Sequence, residues 1–334
     1  MTGFRVHARA VLARLAPGPV SRRLTLHLLV GLGLVGLLTA SRPLPETVQT
    51  TPGAPQPPAT ATTFVYVPPQ ARRVQPVRVL VALHGMGGNG VDFSRDLLAT
   101  AAENDWLVVA PTFAYRDYRD PALVREDDAT FLPALAAILD GLPARVGLAV
   151  RPRVLLYGFS RGAQTAHRFA TVYPGRVRAV AALSAASYTL PATVAPADGR
   201  PLPFPYGVAD LRAVFGRPFD LAAFRRVAFL IVVGDLDTNA ADVPRAWDPY
   251  LGQDRVARAR AYAQAVRATD GQASLRIEPG SGHEIRPTTR DAALAFLRDA
   301  TAPRAGWGCP DAKALPPIPC NLSSFPVRLC ARSG

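Results

Sequence analysis

Four short stretches hold residue types that, brought together, could carry out acyl transfer. The first, "YGFSRGA", sets Ser160 between Gly158 and Gly162, with an apolar run before it and a helix-like run after it. A serine hydroxyl is a weak nucleophile at neutral pH and needs a base beside it. The chain has five histidines. His7 and His27 fall in the first 40 residues. His167 lies two helical turns past Ser160 and is expected to pack beside a sheet. His84 ends an apolar run and reads as a hydrogen-bonder that shapes its loop. His283, in "EPGSGHEI", is left as the base. A base of this kind needs a carboxylate to fix its tautomer and stabilise the imidazolium. The stretch "VVGDLDTNAAD" offers Asp235, Asp237 and Asp242. Asp237 is preferred, because Asp235 follows the glycine directly, where a turn former serves. Developing negative charge on the acyl oxygen needs donors, and "LHGMGGNG", Leu83 to Gly90, supplies a glycine-rich loop for them. The expected donors are the backbone N–H groups of Met86 and of Arg161, the residue after the serine. That loop lacks the Gly-Lys-Ser/Thr ending and the G-x-G-x-x-G spacing of phosphate cradles.

These residues can act only if the chain brings them to one place. "VRVLVALHG", "WLVVAP", "RVLLYGFS", "VRAVAALSA" and "VAFLIVVGD" are apolar, β-branched runs of the kind buried on both faces of a sheet. "FVYV" from Phe64 and "SLRIEPG" from Ser274 complete the strand candidates. Helical patterns lie between them, from Asp92, Asp127, Ala163, Asp254 and Thr288. The helix from Asp127 is expected to carry its acids at its start, where the dipole favours them, and Gly141 near its end. Alternating strands and helices predict an α/β fold with a mostly parallel central sheet flanked by helices. Ser160, Asp237 and His283 each follow a strand, so all three are expected at the C-terminal edge, where open α/β sheets bind ligands. Ser160 sits on a sharp strand–turn–helix, and the chain order is serine, aspartate, histidine. The long irregular segment 185–226, with "PLPFPYG", is expected to be a lid-like insertion that shapes a pocket. Phe204, Tyr206 and Trp247 are candidates to line it, though core packing is the first expectation for any single aromatic.

The motifs "LHGMGGNG", "YGFSRGA", "GDLDTN" and "GSGHE", in this order, resemble the α/β-hydrolase superfamily. The chain is most similar to exported esterases of the polyhydroxybutyrate depolymerase and feruloyl esterase type, over about Thr63 to Ala300. The resemblance implies an α/β-hydrolase fold and a carboxylic ester hydrolase, with Ser160 as nucleophile, His283 as base and Asp237 as acid. It implies no metal and no organic cofactor. That subgroup often has a cysteine in the oxyanion loop, where this chain has Met86. A serine peptidase of the same fold and a non-catalytic envelope binding protein are the alternatives.

The rest of the chain bears on where such a protein works. Residues 1–40 carry five arginines, no acid, and the apolar run Leu24 to Leu38. A helix of that length spans roughly 22 Å, short of the ~30 Å hydrocarbon core. Small residues follow, so an export signal is expected, with an uncleaved anchor as the alternative. "SRRLTL" partly resembles a twin-arginine signal and departs from it at Thr25. Residues 41–62, rich in proline and threonine, read as a linker. Residues 63–302 form the expected hydrolase domain. Residues 303–334 hold Cys309, Cys320 and Cys330, with an intratail disulfide between two of them favoured over a metal site. Net charge is +13, of which the leader contributes five, leaving +8 on the body. With one lysine and scattered arginines, a solvated basic surface is expected, with no nucleic acid partner. The expected partner is a small-molecule or oligomeric ester, and a membrane only through the N-terminal segment.

Overall fold

In a computed structural model of the chain, the structure describes residues 62–71, 75–196 and 198–301. The segment expected to direct export, the expected linker up to residue 61 and the cysteine-bearing tail lie outside the described residues. Seven strands form one sheet: β1 (Thr63–Tyr66), β2 (Arg78–Leu83), β3 (Trp106–Pro111), β4 (Val154–Phe159), β5 (Val177–Leu183), β6 (Ala228–Gly234) and β7 (Gln272–Glu278). Their order is β1-β3-β2-β4-β5-β6-β7. All neighbours are parallel except β1, which runs antiparallel to β3 with Thr63 opposite Pro111. The body therefore begins at the C-terminal edge of the parallel strands.

The central strands are apolar throughout because each face meets a layer of helices. Val79, Val81 and Leu83 of β2 point into one core, and Leu80 and Ala82 into the other. The first layer holds α3 (Pro121–Val146), α4 (Arg161–Val172) and α8 (Arg255–Ala268). The second holds α1 (Gly90–Ser94), α2 (Leu98–Glu103) and α9 (Pro287–Asp299). Short helices α5 (Leu211–Phe215), α6 (Leu221–Phe224) and α7 (Asp248–Leu251) lie in the connections on either side of β6. At the end of α9 the Ala300 carbonyl accepts a hydrogen bond from Arg178, near the start of β5. The described chain thus ends at the edge opposite to the one where it begins.

Three expectations are corrected. The helix read from Asp127 starts at Pro121, capped by the Asp120 side chain on the Ala122 N–H, and runs past Gly141 to Gly147, a left-handed C-cap. Asp127 and Asp128 are therefore well inside the helix and buried, paired with arginines rather than with the dipole. The pattern from Asp92 is not one helix but α1, a 3₁₀ turn over Arg95–Leu97, and α2. The 185–226 segment is not simply a cover, since residues 181–190 are buried without a break. Its aromatics serve the core: Phe204 packs on Phe215, and Tyr206 on Trp247 and Tyr250. Trp247 is buried and donates its indole N–H to the Tyr188 carbonyl at 3.0 Å. Core packing, the first expectation for any single aromatic, is what Phe204 and Trp247 show.

Candidate active site

Ser160 follows β4 and precedes α4, with φ 55° and ψ −117°. This left-handed conformation is strained for a residue with a side chain. The turn is tight because α4 starts against the end of β2. A Cβ on Gly162 would lie 2.0 Å from the Leu83 carbonyl oxygen, so only glycine fits there. The Ser160 N–H is held by the Leu183 carbonyl at the end of β5. Every one of the twelve α4 residues is buried, which fixes the element that carries the serine.

Asp237 and His283 come from the loops after β6 and β7. Those loops are laced together: Asp235 N–H donates to the Glu278 carbonyl and Leu236 N–H to the Ser281 carbonyl, each at 3.0 Å. A Cβ on Gly234 would sit 2.1 Å from the Ser281 oxygen, so the closeness of the two loops depends on that glycine. The Nδ1 of His283 lies 2.8 Å from Oδ2 of Asp237, and its Nε2 lies 3.0 Å from Oγ of Ser160. With Nδ1–H donating to the carboxylate, Nε2 is left to accept from the serine hydroxyl. The His283 ring leans on Phe159 with centroids 4.9 Å apart. Asp237 is buried, while His283 is open to solvent. Burial alone would raise the Asp237 carboxyl. The hydrogen bond from His283 and the charge of Arg255 outweigh it, and the carboxyl lies below the usual range.

The three residues singled out for nucleophile, acid and base are thus brought together in one hydrogen-bonded chain, and Asp235 stays outside it. The loop with Met86 reaches the same place, since a Cβ on Gly85 would meet that of Ser160 at 3.4 Å. Arg161 is the first residue of α4, so its backbone N–H has no partner within the helix. His84 plays the loop-shaping part expected of it. Its Nδ1 bonds the Gly85 carbonyl at 2.7 Å and its Nε2 accepts from Phe113 N–H at 3.0 Å.

Two features under the site were not foreseen. The first is a buried ionic layer between α3 and α4. Arg161 reaches Oδ1 of Asp128 at 2.9 Å and Arg168 reaches its Oδ2 at 3.0 Å, all three side chains being inaccessible to solvent. The Arg161 guanidinium also lies over the Tyr115 ring at 4.8 Å. The second is Arg255, whose Nη1 is 2.9 Å from Oδ1 of Asp237. Its signal in the sequence is slight: an arginine just after a capping aspartate, in a chain with many arginines.

A family model described as the alpha/beta hydrolase fold matches residues 78–318. The chain belongs to the α/β-hydrolase fold family. Among solved structures it is similar to the poly(3-hydroxybutyrate) depolymerase LpqC of Bordetella parapertussis, at 26% identity and a TM-score of 0.51 over 73% of this chain and 86% of that one. It also resembles poly(aspartic acid) hydrolase-1 of Sphingomonas sp. KT-1, at 20% identity and a TM-score of 0.52 over 72% of this chain and 92% of that one, a likeness of fold. No curated protein sequence matches the chain. The mostly parallel α/β sheet read from the strand and helix pattern is the one observed, and the α/β-hydrolase fold implied by the motif resemblance is the one the family match gives.

Proposed function

We propose that this α/β hydrolase is an exported serine esterase that cleaves carboxylic esters through an acyl-enzyme. The observation that carries the reading is the unbroken chain from Ser160 Oγ through His283 to Asp237. Ser160 attacks the acyl carbon while its proton passes to Nε2 of His283. Asp237 holds the imidazolium that forms. The backbone N–H groups of Met86 and Arg161 receive the oxyanion, as donors there do in acyl transfer. The ester C–O bond then breaks, and His283 returns the proton to the departing alcohol. Water repeats the sequence on the acyl-enzyme and frees the acid. Met86 and Leu236, on two loops of the site, are exposed apolar side chains, which favours an apolar acyl or alcohol group. Likeness to a poly(3-hydroxybutyrate) depolymerase supports hydroxyalkanoate esters among the substrates. Export rests on the basic and apolar leader.

The test is a fluorophosphonate probe on the purified protein, with the labelled peptide located by mass spectrometry. Ser160 is expected to carry the label, and Ser160→Ala to lose both the label and, by roughly 10⁴-fold or more, the turnover of aryl and hydroxyalkanoate esters. A folded protein that takes no label would sink this mechanism. Faster turnover of peptide amides than of esters would replace it with a peptidase.

A further inference from the structure

Both oxygens of Asp237 are taken. Oδ2 faces His283 at 2.8 Å and Oδ1 faces Nη1 of Arg255 at 2.9 Å. Arg255 is itself buried, and its Nη2 donates to the Asp242 carbonyl at 2.8 Å, so one guanidinium ties the acid to the loop beyond it. Its location runs against local preference. Arg255 opens α8 just after the capping Asp254, where the helix dipole disfavours a cation. Its Nε is buried with no hydrogen-bond partner among the described residues. A residue that breaks local rules in this way is explained by what it holds.

We propose that Arg255 is a positioning residue of the triad: it pins Asp237 so that only Oδ2 faces His283, and its charge tempers the carboxylate's hold on the imidazole proton. The proposal rests on the esterase reading and extends it. Without the guanidinium the full charge of Asp237 acts on His283, the imidazolium is favoured, and the free base is lost at higher pH. Other charged groups nearby are otherwise engaged. Glu284, beside His283, is paired with Arg286 at 2.8 Å. The Asp242 carboxylate accepts from Asn239 and faces Arg119 at 4.0 Å. Arg258, on the same helix as Arg255, pairs with Asp248 at 2.7 Å. The Tyr188 phenol feels both Arg255 and Asp237, and burial keeps it neutral.

The experiment measures kcat/KM against pH for the wild type, Arg255→Gln and Arg255→Lys, with the probe label on Ser160 counted in each. In the glutamine variant the acid limb is expected to move to higher pH and kcat to fall, while Ser160 still takes the label. The lysine keeps the charge but cannot bond Asp237 and the Asp242 carbonyl together. It is expected to keep the acid limb in place and lose kcat with KM unchanged. An acid limb that stays or moves to lower pH in the glutamine variant overturns the proposal. If that variant does not fold, the lysine variant decides alone: full kcat, or a loss seen only in thermal stability, overturns it. An unlabelled wild type is a failure of the esterase reading itself and is seen before any variant is compared.

Discussion

His167 and His84 are fixed as neutral imidazoles by the same device. Nδ1 of His167 bonds the Ala163 carbonyl and its Nε2 accepts from Thr189 N–H, each at 3.0 Å, so a second proton would break the latter bond. Burial lowers both histidines, and the neighbouring Arg168 lowers His167 further. The unfolded chain therefore binds protons that the folded one refuses, and stability falls as pH drops below about 6.5, by up to about 1.4 kcal/mol per pH unit for each group. Melting temperature is expected to decline between pH 7.5 and 5.5, and more gently in His167→Gln. Asp237 acts in the same sense lower on the scale. Its depressed carboxyl stabilises the fold above about 3.8, and that contribution goes as pH falls through the lower folded value. Asp128 is the other residue with a large effect. It bonds two fully buried arginines, Arg161 and Arg168, and the Asp127 carboxylate stays 4.0 Å from Arg161. Asp128→Asn is expected to cost about 3–5 kcal/mol in urea unfolding, because two desolvated charges lose their closest counter-ion.

The strand–turn–helix that carries Ser160 depends on how closely α4 begins against β2. Gly162→Ala puts a methyl 2.0 Å from a backbone oxygen that cannot give way, so the helix start must shift. The expected result is a lower melting temperature together with loss of the fluorophosphonate label, read on the same sample. The elements that were legible in the sequence are those whose residues are uniform for a physical reason. β2 to β6 are buried on both faces and read as apolar runs, and the triad members each follow one of the strands. The start of α3 is marked by an aspartate followed by proline, but Asp127 and Asp128 look like first-turn acids and draw the expected start inward. The partners of Asp128 lie 33 and 40 residues away on α4, that of Asp127 is Arg116 in the loop before the helix, and no local pattern points to either. Arg255 is hidden for the same reason, 18 residues from the carboxylate it holds. The 185–190 stretch lacks regular structure yet is core, so periodicity has nothing to report.

Across the whole molecule the surplus positive charge is not spread evenly. Arg78, Arg153, Arg178 and Arg226 stand within two residues of the starts of β2, β4, β5 and β6, which are neighbours in the sheet, and Arg151 lies beside them. Arg153, Arg178 and Arg226 spend their hydrogen bonds on main-chain carbonyls. Burial lowers Arg78 and Arg153, and each is lowered further by other arginines of the group. Repulsion of this kind is screened by salt. Moderate salt is therefore expected to raise the melting temperature, and Arg151→Gln to weaken that response without touching hydrolase activity. This row lies at the edge away from Ser160. The body's first strand starts at the catalytic edge, whereas its last helix ends by the arginines. A support gripping the protein through residues ahead of β1 would draw the mouth of the site toward its own surface. One gripping it beyond α9 would turn that mouth outward. Immobilised preparations made the two ways should differ most on large substrates, and hardly at all on a small, freely diffusing one.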